Sequence, residues 1–139
     1  QSQDAYDKYD TPIPRLCAML HTLTQVFDMY KAHITIFYEE SRSLSEEYSE
    51  IIHKKRDHYR NILQKVIAEG QETKVFRTEL PCTIVTMAIV GMINWTYKWF
   101  KQSGPLTLEQ ITDVFTDMVL RAIVTEQAID EAKQFMIKG

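Results

Sequence analysis

The sequence is poor in the residues that punctuate or staple a chain. Four glycines and four prolines in 139 residues are too few for a turn-rich β-sandwich or a disordered linker. Its two cysteines, Cys17 and Cys82, are far apart and in no CxxC spacing, which excludes a disulfide scaffold and points to two reduced, buried thiols of a cytoplasmic protein. Basic charge is not in excess either: 16 Lys and Arg against 19 Asp and Glu leave a net charge of −3. Phosphate neutralisation supplies most of the affinity of a DNA-gripping surface, so this chain alone is expected to bind nucleic acid poorly. A membrane span needs about 20 apolar residues. The most apolar stretch, 84–100, is broken by Asn94 and Lys98, and no membrane partner is expected. No signal peptide opens the chain. It begins with Gln1 and not Met, so an upstream segment is expected.

Catalytic patterns are missing as well. There is no HExxH, Walker loop, GxSxG or Cys–His pairing. Glu50-x-x-His53 matches half of a di-iron carboxylate pattern, and Glu39 or Glu40 could bridge. Such bundles require a second ExxH from another helix, and the sequence has none. No enzyme activity, metal or cofactor is expected.

What remains is helical patterning, and the fold class expected is all-α: an antiparallel bundle of about five helices in one domain, 1–139. Residues 1–9 carry no clean period and could fray or continue a helix from the upstream segment. Asp10-Thr11-Pro12 is a start signal, with Pro where a missing N–H costs nothing, and Leu16, Leu20, Leu23, Val26, Phe27 and Tyr30 follow at helical spacing. A short amphipathic stretch covers 34–44. A long helix opens at Ser45-Glu46-Glu47 and is expected to end at Gly70 as a left-handed cap. Arg56 interrupts its apolar seam between Ile52 and Tyr59. Leu80-Pro81 opens a helix to about residue 102 that is apolar nearly all round, hence buried on every side by its own domain and a second subunit. Gly91 in its middle suggests close approach by a neighbouring helix. Thr107 and Gln110 form a capping box for a helix over 107–124, and the tail 126–139 is expected to be ordered only by a partner.

The segment Gly91-Met92-Ile93-Asn94-Trp95-Thr96-Tyr97-Lys98-Trp99-Phe100, followed by Ser103-Gly104-Pro105-Leu106, is the most informative. Its two indoles share a face, and Asn94 and Lys98 form a polar ridge beside them. This segment resembles the carboxy-terminal signature of TetR-family regulators, in the branch of fatty-acid and steroid-degradation repressors. Residues 37–44, Arg56-Asp57-His58-Tyr59, Ile67-Ala68-Glu69-Gly70-Gln71 and Val75-Phe76-Arg77 resemble that branch's preceding helices, so the likeness covers about 12–124. Lys98 stands where the pattern has Arg, losing a planar fork for anions. Lys74 stands where it has Gly, a change expected to matter little in a loop.

The resemblance implies a helix-turn-helix domain upstream of Gln1, which alone would contact DNA, and homodimerisation through the last two long helices. It also implies a small-molecule effector such as an acyl-CoA or fatty acid. Flat aromatic and flexible methionine walls suit such a ligand. The expected pocket lies between the 34–44, 46–70 and 81–102 helices and is lined by Phe37, Tyr38, Ile52, Tyr59, Leu63, Met87, Asn94, Trp95 and Trp99. Arg42, Arg56 and Lys98 are its candidate cations for a carboxylate or phosphate. A helical protein–protein interaction module without a small ligand is the alternative.

Overall fold

The computed structural model describes residues 2–22, 24–25, 45–100 and 104–138. The elements are α1 (Ser2–Lys8), α2 (helical from 12 to 25 where described), α3 (Ser45–Glu72), α4 (Cys82–Trp99), α5 (Leu108–Ile123) and α6 (Ile129–Ala132), the last flanked by single 3₁₀ turns at Glu126–Ala128 and Lys133–Phe135. The expected all-α architecture is the observed one. The only β-type pairing among the described residues is one bridge, Phe76 to Val124.

α2 starts at Pro12, and the Arg15 amide donates to the Thr11 carbonyl at 3.2 Å, as the Asp-Thr-Pro signal requires. α5 starts on the expected capping box: Gln110 N donates to Thr107 Oγ1 at 3.1 Å and Thr107 N to Gln110 Oε1 at 2.8 Å. Hydrophobic side chains from each long element meet in one core. Leu16, Met19 and Leu20 of α2, Leu63, Val66 and Ile67 of α3, Ile89 and Ile93 of α4, and Leu120 of α5 are all buried, together with Phe76.

At the amino-terminal end the structure shows the helical one of the two alternatives, and at the carboxy-terminal end it departs from expectation. Residues 2–8 do not fray. They form α1, whose Ala5 and Tyr6 are buried, because a polar cluster fixes the helix against α3. The Tyr6 hydroxyl donates to Glu69 Oε1. Arg15 reaches Glu69 Oε2 at 3.1 Å and donates through Nε to the Tyr6 and Tyr9 carbonyls, at 3.0 and 2.6 Å. The Arg15 guanidinium lies over the Tyr6 ring at 3.9 Å and Lys65 Nζ approaches that ring to 4.6 Å. The tail needs no partner for its order: Ala128, Ala132 and Met136 enter the core, and Ile137 N donates to Asp117 Oδ1 at 2.9 Å.

Gly70 is not a left-handed cap. α3 runs on to Glu72, and no glycine among the described residues has positive φ. A Cβ on Gly70 would lie 2.0 Å from Phe76 Cδ2, so glycine is there to admit the Phe76 ring. The left-handed residue is Lys74, at φ 63°. The Lys74 substitution therefore does matter: a side chain occupies a conformation that glycine adopts without penalty. The turn is held by Thr125 Oγ1, which donates to the Lys74 carbonyl at 2.7 Å, and by Gln127 Nε2 at 2.9 Å to the same oxygen.

Candidate functional site

Helix α4 is two-faced. Val85, Thr86, Ile89, Ile93 and Thr96 point into the core, and the two threonine hydroxyls are satisfied locally, Thr86 and Thr96 donating to the carbonyls of Cys82 and Met92, four residues earlier. The opposite face carries Ile84, Met87, Ala88, Gly91, Trp95 and Trp99, all exposed. Ile84 is 64% and Trp95 65% accessible, so the described residues of the chain cover only part of a helix expected to be buried jointly by its own domain and a second subunit. The reason is architectural: α3 and α5 cover only one side of α4. Among the described residues none approaches Gly91, around which there is nothing within 4 Å of an added Cβ.

α5 extends the exposed apolar surface with Val114 and Met118. Between the two helices runs an open groove of about 330 Å³, whose walls include Leu80, Ile84, Ala88 and Met92 from α4's side and Met118 and Ala122 from α5. No helix among the described residues is long and apolar enough to cross a membrane. The face is nevertheless larger and more contiguous than scattered surface apolar residues, and patches of this kind mark interaction surfaces.

The residues expected to line one pocket are divided by the structure. Tyr59 and Leu63 are sealed into the core. Met87, Trp95 and Trp99 stand on the exposed face of α4, directed away from that core, because their helical positions lie opposite Ile89 and Ile93. Arg56 on α3 and Asn94 on α4 are half-buried. Asn94 Oδ1 is inaccessible to solvent, and no group among the described residues donates to it. A buried amide oxygen without a donor is costly, which singles Asn94 out from the hydroxyls around it. Ile52 and Lys98 lie on α3 and α4 with their side chains outside the described residues, and Phe37, Tyr38 and Arg42 lie outside them altogether.

Glu50 and His53, the half-motif, are exposed on α3, and Glu39 and Glu40 lie outside the described residues. No group of three or more His, Cys, Asp or Glu among the described residues could hold a metal ion. Both cysteines are free. Burial pushes the Cys17 thiol up to about 12, and raises that of Cys82, whose Sγ lies 3.4 Å from the Gln64 carbonyl. Neither has the lowered pKa of a nucleophile.

One cluster was missed in the sequence. Residues 69–71 at the end of α3 each hold a different part of the molecule: Glu69 binds Tyr6 and Arg15, Gly70 admits Phe76, and Gln71 Nε2 donates to the carbonyls of Arg77 at 3.0 Å and Leu80 at 2.7 Å. Arg77 continues the chain of contacts, its Nη1 donating to the Ala122 carbonyl at 2.9 Å and its backbone N to that of Ile123 at 2.8 Å. The pairing of Tyr6 with Glu69, 63 positions apart, leaves no local sequence signal.

The arrangement is that of a helical module with a packed core on one side and a bare apolar face on the other. A model of the tetracyclin repressor-like C-terminal domain matches residues 9–123, and the chain belongs to that family. It is similar to the HTH-type transcriptional repressor KstR2 of Mycobacterium tuberculosis, 24% identical over 125 residues that cover 89% of this chain and 62% of the relative. KstR2 of Mycolicibacterium smegmatis is 25% identical over 130 residues, covering 90% and 62%. The structure of the ketosteroid transcriptional regulator KstR2 of M. tuberculosis superposes with a TM-score of 0.74 at 23% identity, over 90% of this chain and 64% of that one. A TetR/AcrR-family regulator from Thermobifida fusca superposes at 0.67 with 24% identity, over 86% and 62%. The chain thus spans less than two thirds of the length of these relatives.

Proposed function

We propose that this chain is the effector-binding and dimerising part of a transcriptional repressor whose DNA contacts are made by a further, helix-turn-helix domain. The observation that carries the reading is the bare apolar face of α4 and α5 in a member of the tetracyclin repressor-like C-terminal family. Two copies joined through these helices form an intersubunit four-helix bundle, and Met87, Trp95 and Trp99 belong to that interface.

The effector site is the seam between α3 and α4 on the Arg56–Asn94 flank, with Phe37, Tyr38, Arg42, Ile52 and Lys98 as its remaining candidates. Buried Asn94 Oδ1 supports this, since a ligand hydroxyl or amide would supply its donor. The effector class is an apolar anion such as an acyl-CoA or fatty acid. The relative described as a ketosteroid regulator favours a ring-bearing acyl group over a plain chain. In the intact repressor such a ligand would shift the spacing of the two DNA-binding heads, which must lie about one helical turn apart.

A thermal-shift series with fatty acids, their CoA thioesters and CoA thioesters of ketosteroid fragments tests the effector reading. A ligand at 100 times its Kd is expected to stabilise the fold by about 2.7 kcal/mol, with the gain reduced in Arg56→Ala and Asn94→Leu. A panel that moves no melting temperature, with an empty chain by native mass spectrometry, would leave the protein–protein interaction module as the better reading. The open α4–α5 groove is the feature that favours that second reading.

A further inference from the structure

The exposed face of α4 has a notch and a knob. Gly91 is exposed, and an added Cβ there would meet nothing within 4 Å. One helical turn later Trp95 stands out from the same face, 65% accessible. Met87 lies one turn before the notch and Trp99 one turn after the knob. Within Cys82–Trp99 no carboxylate occurs, and Met87, Gly91, Trp95 and Trp99 are all uncharged.

We infer that this face is self-complementary: two α4 helices cross antiparallel about a two-fold axis level with Ile93, and Trp95 of each copy seats in the Gly91 notch of the other. The inference rests on the dimer reading above and goes beyond it in naming the register. An isologous interface requires that if residue i meets j, then j meets i. Positions 91 and 95 are equally spaced about 93, and so are 87 and 99, so one axis pairs Trp95 with Gly91 and Trp99 with Met87 simultaneously. Indole against bare backbone and indole against thioether are both favourable packings. A basic partner finds no carboxylate on this stripe, whereas a second copy supplies both knob and notch. Gly91 also costs helix stability of about 1 kcal/mol relative to Ala, a loss that the chain's own packing does not explain, because the space around it is empty.

Sedimentation equilibrium on the chain and three variants tests this. The unmodified chain is expected to be a dimer. Gly91→Leu fills the notch, and because the position is exposed and an added Cβ meets nothing within 4 Å, the monomer fold should be retained by circular dichroism. Overpacking at two symmetric notches is expected to raise the dimer dissociation constant by about 100-fold. Trp95→Ala, at an exposed position, should weaken the dimer by about tenfold or more. Gly91→Leu combined with Trp95→Ala should be tighter than Gly91→Leu alone, since the knob that collides has gone. A dimer of unchanged affinity in Gly91→Leu would overturn the notch while leaving the dimer reading intact. A monomeric parent chain would overturn the dimer reading and the notch with it.

Discussion

Replacing Gly70 by Ala is a sharp test of the packing argument, because two principles predict opposite signs. Gly70 lies within α3, two residues before its end, in ordinary helical backbone. Propensity alone therefore expects Ala to stabilise the protein by about 1 kcal/mol. The surroundings say otherwise. The new Cβ would stand 2.0, 2.4 and 2.7 Å from Cδ2, Cε2 and Cγ of Phe76, against at least 3.4 Å for ordinary contact. The ring cannot simply swing out, since Phe76 is 1% exposed, its backbone N donates to the Gly70 carbonyl at 2.9 Å, and it pairs with Val124. Overpacking of this kind costs about 1–3 kcal/mol, and three clashing ring atoms place it at the upper end. The net expectation is a loss of about 2 kcal/mol, or a fall in Tm of about 5–10 °C. Scanning calorimetry of Gly70→Ala, Phe76→Leu and the double variant provides the measurement. The shorter side chain should relieve part of the clash, giving a favourable coupling of about 1 kcal/mol between the two sites. A Gly70→Ala protein that melts at or above the parent temperature would refute the close-approach explanation.

Two further outcomes are expected. Lys74→Gly should stabilise the fold by about 0.5–1 kcal/mol, because the left-handed penalty is removed while glycine's extra unfolded-state freedom offsets part of the gain; urea denaturation should show a higher midpoint at an unchanged slope. Tyr6 gives a pH dependence. Its hydroxyl donates to Glu69, and that hydrogen bond, then burial and the Glu69 charge, raise its pKa above the usual 10, against the smaller opposing effects of Lys65 and Arg15. The folded state thus holds the phenolic proton more tightly than the unfolded state does, so this stabilisation is fully present below pH 10 and is lost as pH rises through the folded value. The stability difference between the parent and Tyr6→Phe should shrink above pH 10, and a difference constant to higher pH would count against the Tyr6–Glu69 bond.

The sequence disclosed what depends on local chemistry and periodicity. The Thr107–Gln110 box and the Thr11-Pro12 start are decided within one helical turn, and both stand as read. The apolar character of 84–100 was legible too, but its meaning was not. Hydrophobicity all round a helix says that every face needs cover, without saying which face the same chain provides. The pattern alone groups Trp95 and Trp99 with Tyr59 and Leu63 in one pocket, whereas the structure buries the latter two and exposes the indoles. Gly70 and Lys74 show a different limit. A glycine near a helix end fits a left-handed cap by statistics, yet the left-handed turn falls four residues later, on a lysine, and the glycine answers to a ring six residues ahead. Such assignments depend on where the chain goes after the helix.

The last turn of α3 shows why the family-like segment at 67–77 is best understood as structural rather than ligand-binding. Three consecutive residues serve three different neighbours: Glu69 reaches α1 and α2, Gly70 faces Phe76, and Gln71 holds the loop leading into α4. Phe76 and Arg77 then tie that loop to Val124, Ala122 and Ile123 at the end of α5. Elements far apart in sequence thus meet at one turn, and most of the bonds involve backbone carbonyls, which fix positions irrespective of the side chains they belong to. A displacement of α3 at this turn would have to break charge-assisted and backbone hydrogen bonds together, each worth about 0.5–3 kcal/mol.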